Sequence, residues 1–307
     1  MIVVTGGAGF IGSNLIQGLN QAGYEDILVV DDLTDGRKFT NLVEAKISDY
    51  MDKHQFLTQL HNENLPTISA IFHEGACSST TEWDGRYMLE NNYEYSKQLL
   101  HFCARQQCAF IYASSAAVYG NCRQFTVEPA NERPLNVYGY SKLLFDQYVR
   151  KWSKVAKHQV VGLRYFNVFG PRQSPQGAYA AVIPLFIEAL LKNESPFING
   201  DGNQSRDFTF VENAVQANIK ALFTENEKAF GEAFNVAVGE RFTLLELYDL
   251  IQQKVGASAT AIHREERAGD IKDSLADISK AEKLMGYQPT VRFQDGIDKT
   301  IKWFKQQ

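Results

Sequence analysis

Length, composition and charge set the first limits on this chain. Its 307 residues are 44% hydrophobic and 22% charged, which is typical of a globular protein with room for one large α/β domain or two smaller ones. The net charge of −5 argues against a nucleic-acid partner, because phosphate backbones attract basic surfaces. No apolar run is long enough to span a bilayer, and a strand pattern begins at Ile2, so we expect no signal peptide and no membrane partner. These features predict a cytoplasmic protein.

The cysteines give no indication of a metal site. Cys77, Cys103, Cys108 and Cys122 form no C-x-x-C pair, so their spacing favours reduced structural thiols over disulfides or zinc ligands. We therefore expect free thiols and no bound metal.

Short strand patterns alternate with amphipathic helical patterns up to about residue 170. The predicted strands are 2–5, 27–30, 70–73, 110–114 and 160–165. The predicted helices are 11–22, 91–106 and 141–155. This alternation predicts right-handed βαβ units and a Rossmann-type, doubly wound parallel sheet of the α/β class.

The pattern changes after Gly170, where a segment rich in Pro, Gln and Ser begins. The predicted elements beyond it are helices at 178–191, 212–223, 244–255 and 278–285, and strands at 197–199, 206–211 and 233–238. We expect residues 1–170 to form the sheet domain and residues 171–307 to form mainly a smaller C-terminal α/β lobe. Segments near 206–238 are expected to return to the sheet.

A glycine-rich turn follows the first predicted strand and opens the first predicted helix. Gly6, Gly9 and Gly12 have the spacing G-x-x-G-x-x-G. The first glycine permits a tight turn, the second lets the backbone approach a pyrophosphate, and the third allows the helix to pack closely on the strand. The alternative is a glycine-rich turn that binds nothing, but the position of this one favours a dinucleotide site.

An acidic residue after the second predicted strand supports the dinucleotide interpretation. Asp31 stands where a carboxylate accepts hydrogen bonds from the 2′- and 3′-hydroxyls of adenosine, which favours NAD over NADP. Arg37 and Lys38 follow closely and would partly neutralise a 2′-phosphate, although a solvated basic pair is the simpler interpretation. NAD is therefore the predicted cofactor.

A tyrosine and a lysine supply a candidate acid/base. Tyr138 and Lys142 lie four residues apart and share one face of a helix. A tyrosine normally keeps its proton far above neutral pH, but a nearby ammonium and an oxidised nicotinamide both favour the phenolate. Ser114 and Ser115 end a predicted strand, where a hydroxyl can bond the reacting sugar oxygen. A Tyr-x-x-x-Lys pair alone is common on helix surfaces, whereas its combination with these serines and the glycine turn indicates an enzyme.

With these motifs the whole chain resembles the extended short-chain dehydrogenase/reductase family, and within it the nucleotide-sugar epimerases. The resemblance implies that Ser115, Tyr138 and Lys142 are the catalytic trio. It also implies a homodimer built through helices 91–106 and 141–155. The implied cofactor-binding residues are Gly6, Gly9, Phe10, Ile11, Gly12, Asp31, Asp32, Lys38, Gly75, Ala76, Asn91, Tyr138, Lys142 and Phe166.

The two halves of the chain resemble different epimerases. Residues 49–53, 73–85 and 134–142 are similar to ADP-L-glycero-D-manno-heptose 6-epimerases. Residues 167–170, 177–184, 199–202, 205–208, 269–271 and 274–280 are similar to UDP-N-acetylhexosamine 4-epimerases. The likeness changes near residues 171–177, so the sequence predicts a chimera of natural or engineered origin. We expect the second half to select the sugar, because both families share the hydride chemistry.

Two positions bear on the choice of sugar. Gln176 stands where the 6-epimerases are expected to carry a lysine as a second acid/base, and an amide moves no proton at neutral pH. Ser274 matches a position that is bulky in 4-epimerases restricted to unsubstituted hexoses and small in those that accept an N-acetyl group. A solvent-facing loop serine is the alternative. Both positions favour a UDP-hexosamine.

The resemblance also assigns side chains to the nucleotide half of the substrate. Guanidinium groups match phosphate oxygens and a carboxylate suits ribose hydroxyls, although surface salt bridges are the alternative for each arginine. Val182 would flank the base unless it belongs to the core. The implied substrate-binding residues are Ser115, Tyr138, Asn167, Val182, Arg206, Arg267, Asp270 and Ser274.

These features predict an isomerase that inverts C4 of a UDP-sugar, UDP-GlcNAc or UDP-GalNAc, through a 4-keto intermediate with Tyr138 as the base. Two alternatives stay open: an ADP-heptose 6-epimerase, and a catalytically weak NAD-binding hybrid or regulator. A 4,6-dehydratase is disfavoured, because residues 116–118 lack the Asp–Glu pair that those enzymes use for elimination.

Overall fold

A seven-stranded sheet lies at the centre of the molecule. The computed structural model describes residues 1–176, 181–266 and 272–307. The strands and helices up to residue 165 are β1 (Ile2–Thr5), α1 (Phe10–Gln21), β2 (Ile27–Asp31), β3 (Asp49–Asp52), α2 (Lys53–His61), β4 (Ala70–His73), α3 (Gly85–Leu89), α4 (Tyr95–Gln106), β5 (Ala109–Ser115), α5 (Val137–Trp152) and β6 (Val160–Tyr165).

The described elements that follow are shorter on average. They are β7 (Val168–Phe169), α6 (Val182–Leu191), β8 (Phe197–Asn199), β9 (Ser205–Arg206), β10 (Thr209–Phe210), α7 (Val211–Phe223), β11 (Glu232–Val236), β12 (Phe242–Thr243), α8 (Leu244–Val255), β13 (Ile262–Arg264), α9 (Ser279–Met285) and α10 (Phe293–Phe304).

The sheet has the strand order β11-β6-β5-β4-β1-β2-β3, and every neighbouring pair is parallel. Strands β1, β2, β4 and β6 are buried along their whole length, as expected for parallel strands covered on both faces. Side chains of α1 and α7 pack on one face, and side chains of α2, α4 and α5 pack on the other. The predicted fold class is therefore confirmed.

A second core lies beyond the sheet and unites α6, β8, α8 and α10. Its buried side chains include Phe186, Leu247 and Ile297. Strand β11 leaves this part of the chain and pairs with β6 at the edge of the sheet, in register Glu232 with Val161.

Several elements differ from the prediction. Strand β3 and helices α2 and α10 have no counterpart among the predicted elements, and the strand predicted at 206–211 is divided into β9 and β10. The helix predicted at 178–191 begins at Val182 within the described residues, and its first residues lie partly outside them.

The helix predicted at 91–106 starts earlier and is not uniform. Helix α3 runs into a π-helical turn at Glu90–Glu94, which continues directly into α4. A π turn inserts one extra residue into an α-helix and often accompanies a functional site. Here it presents Asn91 and Asn92 towards the carboxyl ends of the central strands, where Asn92 bonds the Cys77 backbone.

Candidate active site

The glycine turn joins β1 to α1 and leaves no space for side chains. Gly6 has a φ of +67°, and a Cβ there would lie 2.5 Å from the Gly75 nitrogen. A Cβ on Gly12 would lie 2.2 Å from the Gly6 carbonyl oxygen. Both distances are far below normal contact, so the close approach of β1, α1 and the β4 loop requires glycine at these positions.

The start of α1 is built to receive an anion. Gly9 is the N-cap and provides no side chain, and the first turn of the helix contains no acidic residue. The free N–H groups and the positive end of the helix dipole therefore face the adjoining cavity, where a pyrophosphate would satisfy them. The turn fits a dinucleotide in this respect.

Asp31 links the end of β2 to the glycine turn. Its Oδ2 accepts a hydrogen bond from the Ala8 N–H at 2.8 Å. Its Oδ1 accepts bonds from the Asp32 N–H at 2.6 Å and from Lys38 Nζ at 2.5 Å. A carboxylate has about four acceptor positions, so Asp31 retains capacity for a ribose hydroxyl while it holds the turn.

A second lysine, which sequence reasoning missed, lies beside this acidic pair. Lys53 Nζ is 2.9 Å from Asp32 Oδ2 and 3.5 Å from Asn91 Oδ1. The Thr34 hydroxyl, and after it Lys53, lower the pKa of the Asp32 carboxyl. Lys53 begins α2 directly after β3, the edge strand that the sequence pattern did not reveal, so only its position in the fold identifies it.

A cavity of about 410 Å³ lies over this end of the sheet. The predicted cofactor residues that line it are Gly6, Asp31, Asp32, Lys38, Gly75, Ala76 and Asn91. Its other lining residues include Lys53, Cys77, Tyr87 and Tyr95. The cavity therefore combines both carboxylates, both lysines and the glycine turn at what would be the adenosine end of a dinucleotide.

A second cavity of about 420 Å³ continues from the first, because both share Gly6, Asp31 and Gly75. The predicted site residues that line it are Gly6, Gly9, Phe10, Ile11, Gly12, Asp31, Lys38, Gly75, Ala76, Ser115, Tyr138, Lys142 and Asn167. The three candidate catalytic side chains thus share one cavity with the glycine turn.

Helix α5 positions the tyrosine and the lysine. Asn136 caps the helix by accepting a hydrogen bond from the Gly139 N–H at 2.7 Å, which fixes where the first turn begins. Tyr138 then lies in the first turn and Lys142 one turn later, so both side chains reach the end of β5. Lys142 is buried, and its Nζ donates to the Ala113 carbonyl at 2.8 Å.

Burial and neighbouring groups set the pKa of Tyr138. Burial raises the pKa of the phenol, while a hydrogen bond with Ser115 lowers it. Burial also lowers the pKa of Lys142 to about 8. The charges of Cys77 and Glu74 add to the rise that burial causes in the pKa of Tyr138. The predicted lowering depends on an oxidised nicotinamide beside the phenol as well as on Lys142, so it stays a prediction.

The two serines at the end of β5 have different partners. Ser114 lines the cavity but is buried, and its hydroxyl donates to Asp146 Oδ2 at 3.0 Å. Ser115 caps the turn that follows β5 and hydrogen-bonds with Tyr138. Only Ser115 therefore has the geometry of the predicted catalytic serine.

The predicted substrate residues connect to this cavity through Asn167. Its side chain donates to the Asp207 carbonyl at 3.1 Å, next to Arg206. Arg206 donates to the carbonyls of Ser205 at 2.9 Å and Lys272 at 3.2 Å. The Ser274 backbone N–H donates a hydrogen bond to the Ser205 carbonyl of β9, with an N···O distance of 3.1 Å.

The structure ties the remaining predicted substrate residues less closely to the catalytic cavity. Ser274 is buried, so the alternative of a solvent-facing serine is wrong. Within the described part of the chain, its hydroxyl has no hydrogen-bond partner. Val182 packs partly buried against the second core. Arg267 and Asp270 lie outside the described residues.

Two further predicted positions lie away from the cavities. Phe166 is fully buried among Val118, Tyr119 and Leu143, so its side chain belongs to the core beneath the site. Gln176 accepts a hydrogen bond from Arg37 at 2.6 Å on the surface, near the adenosine end and not beside Tyr138.

Across the described ranges, no cluster of His, Cys, Asp or Glu side chains is arranged to hold a metal ion. In the same part of the chain, no helix is both long and apolar enough to cross a membrane.

Comparison with known proteins agrees with this geometry. Residues 2–237 match the model of the NAD dependent epimerase/dehydratase family. The fold matches UDP-N-acetylglucosamine 4-epimerase from Methanobrevibacter ruminantium M1, with 33% identity over 99% of this chain and 98% of that one, and a TM-score of 0.89. UDP-glucuronic acid 4-epimerase from Bacillus cereus, solved with UDP-glucuronic acid and NAD, matches with 29% identity over 99% of both chains and a TM-score of 0.87.

A 6-epimerase is also similar. The ADP-L-glycero-D-manno-heptose-6-epimerase of Helicobacter pylori matches with 29% identity over 98% of this chain and 94% of that one, and a TM-score of 0.85. The chain therefore belongs to the NAD dependent epimerase/dehydratase family. It is a sugar-nucleotide epimerase, as the sequence predicted, and NAD is the cofactor of its family.

Proposed function

We propose that this enzyme is a UDP-hexosamine 4-epimerase that interconverts UDP-GlcNAc and UDP-GalNAc with bound NAD. The observation that carries the proposal is the single cavity lined by Ser115, Tyr138 and Lys142 and continuous with the glycine turn. A proton acceptor beside a dinucleotide is what inversion through a ketone needs, because one base and one hydride carrier suffice for both half-reactions.

The chain's own residues have distinct roles in this scheme. Tyr138 takes the proton of the sugar 4-hydroxyl and returns it after inversion, while Ser115 orients the same oxygen. The Lys142 ammonium, held on the Ala113 carbonyl, stabilises negative charge near the phenol. NAD, when bound, supplies a reversible hydride acceptor. Arg206 and Arg267 hold the diphosphate, about which the flat 4-keto sugar turns to present its other face.

NAD is proposed over NADP because of Asp31. Its carboxylate lies at the adenosine end, where it would accept from ribose hydroxyls and repel a 2′-phosphate. Lys38 and Lys53 offset part of that repulsion, but each already neutralises one carboxylate of the pair.

The choice of a UDP-hexosamine rests on the C-terminal lobe. Ser274 is a small, buried residue on the segment that bonds the Ser205–Arg206 strand, which supports acceptance of a bulky N-acetyl group. Gln176 bonds Arg37 on the surface, so it offers no second acid/base for a 6-epimerase. The chimeric origin, the homodimer and the cytoplasmic location stay predictions.

The experiment is an epimerase assay on UDP-GlcNAc with separation of UDP-GalNAc. Replacing Tyr138 by Phe is expected to lower kcat by about 10²- to 10⁴-fold, the usual contribution of a general acid/base. The matched control is Tyr140→Phe, because Tyr140 lies on the same helix but is 47% exposed. Full activity of Tyr138→Phe would refute the assigned chemistry.

The ADP-heptose 6-epimerase remains the second candidate, supported by the likeness of residues 73–85 and by the Helicobacter pylori enzyme. Turnover of ADP-D-glycero-D-manno-heptose faster than UDP-GlcNAc would replace our proposal with this one. Binding of NAD without turnover of either sugar would favour the catalytically weak hybrid.

A further inference from the structure

A buried carboxyl group in the catalytic cavity has no role in the scheme above. Glu74 follows β4 and lines the same cavity as Tyr138 and Lys142. Glu74 is partly buried and its Oε2 is shielded from solvent, which is rare for a glutamate oxygen unless a partner compensates the charge. Sequence reasoning missed it, although its position at the carboxyl end of a parallel strand is the same kind of signal that identified Asp31.

The hydrogen bonds of Glu74 are incomplete in a way that a proton would correct. The Tyr165 hydroxyl donates to Oε1 at 2.8 Å and itself accepts from Asn218 Nδ2 at 2.7 Å. Among the residues that the structure describes, neither Glu74 Oε2 nor Asn218 Oδ1, both buried acceptors, has a hydrogen-bond partner. The hydrogen bonds from Tyr165 and Asn218 lower the pKa of Glu74, but neither reaches Oε2, so a proton on that oxygen would add the donor that this cluster lacks.

Among the described residues, Lys142 is the cation that acts on Glu74. The groups that face it are the Tyr165 phenol from β6, the neutral Asn218 amide from α7 and the Lys142 ammonium from α5, with the Tyr138 phenol close enough to respond to its charge. Burial raises the pKa of Glu74 to about 7, and Lys142 offsets part of that rise. The carboxyl is thus close to half-protonated at neutral pH.

We infer that Glu74 balances the charge at this end of the cavity: its carboxyl carries a proton beside Lys142 and gives it up to solvent when the positively charged nicotinamide ring of NAD⁺ binds. The summed charge of Glu74, Lys142 and the ring then stays at about +1, since the new carboxylate compensates the cationic ring. Neutral dihydronicotinamide brings no such cation, so NADH leaves the proton in place. Glu74 is in this sense an electrostatic positioning residue and not the base.

The sign of the pH dependence follows from this linkage. Below pH 7, NAD⁺ must displace a proton from Glu74, so NAD⁺ binding weakens as the pH falls. The loss approaches about tenfold per pH unit for as long as the bound state remains ionised. NADH binding has no such slope. The ratio of the two dissociation constants between pH 5.5 and 6.5 reports this effect, since Lys142, with a pKa of about 8, stays almost fully protonated there.

The test is calorimetric titration of NAD⁺ and NADH into the full chain in two buffers of different ionisation enthalpy. At pH 6.5 we expect NAD⁺ to release about three quarters of a proton more than NADH, which is the protonated fraction for a pKa of about 7. Glu74→Gln, which preserves shape, should abolish the difference and flatten the pH dependence of the Kd ratio. Glu25→Gln is the control, because Glu25 is an exposed carboxylate paired with Lys46.

Two outcomes would overturn the inference. Equal proton release with NAD⁺ and NADH in the parent protein would show that Glu74 does not respond to the ring charge. A Glu74→Gln variant with the parent's slope would leave Glu74 as a structural acceptor for Tyr165 only. Tyr165→Phe retains the carboxyl and is expected to keep proton release, which guards against misfolding of the first variant. The inference rests on the proposed NAD site and not on the sugar, so failure of the epimerase assay would not decide it.

Discussion

Replacing Arg164 should destabilise the protein more than any change at a surface ion pair. Arg164 is fully buried on β6. Its Nε donates to Asp146 Oδ2 at 2.9 Å, its Nη2 to Glu132 Oε1 at 2.5 Å and its Nη1 to the Tyr119 hydroxyl at 3.0 Å. Arg164→Met keeps most of the volume but leaves the Asp146 carboxylate without its cation in a buried place. Removing one partner of such a pair usually lowers the free energy of unfolding by about 3–5 kcal/mol.

The assay is urea denaturation followed by far-UV circular dichroism. Arg150→Met is the matched control, because Arg150 pairs with the same Glu132 at 2.5 Å but keeps 31% of its side chain exposed. Glu132 is buried but keeps Arg164 as its cation when Arg150 is replaced, so the control should lose only about 1 kcal/mol. Adding Asp146→Asn to Arg164→Met should recover part of the loss, since the stranded charge disappears. Equal losses for Arg164→Met and Arg150→Met would refute the reasoning.

Two other predictions concern pH and cofactor choice. His73 is buried between Thr5 Oγ1 at 2.6 Å and Ser96 Oγ at 2.8 Å, and burial lowers its pKa to about 3. Below pH 6.5 the unfolded chain binds a proton on His73 that the folded chain does not, so the free energy of unfolding should fall by about 1.4 kcal/mol per pH unit. Between pH 7.5 and 5.5, the urea midpoint should therefore drop less in His73→Gln than in the parent protein. An equal drop would contradict this. Asp31→Asn should weaken NAD binding about tenfold or more while it strengthens NADP binding, measured by fluorescence titration. Tighter NADP than NAD binding in the parent protein would reverse our cofactor assignment.

The sequence predicted the central sheet because its strands are continuous apolar runs. Residues 2–5 and 160–165 are buried on both faces, and few other structures suit such short apolar runs. Strand β3 escaped prediction because Asp49–Asp52 is a polar, half-exposed edge strand. Because β3 was not predicted, the sequence also offered no indication that Lys53, the residue directly after it, lines the cavity.

The candidate site was predictable where its residues are close in sequence. Tyr138 and Lys142 lie on one helix, and the glycine turn is a continuous motif. Contacts between distant segments were not predictable, such as the bond of Arg37 to Gln176, 139 positions apart. The rise that burial causes in the pKa of Tyr138 was also not predictable, because the residue type gives no measure of burial.

The π turn at Glu90–Glu94 lets one continuous helix meet two different alignments, one with the cavity and one with the core. Each residue of an α-helix turns the chain by about 100°, so the extra residue rotates everything beyond it relative to what precedes it. The asparagines within the turn meet the cavity and the Cys77 backbone, while Leu99 and Cys103 downstream fill the core below the sheet. Deleting one residue here would restore a regular helix, but it would misalign either the asparagines with the cavity or Leu99 and Cys103 with the core. The helix therefore tolerates substitution far better than a change of length.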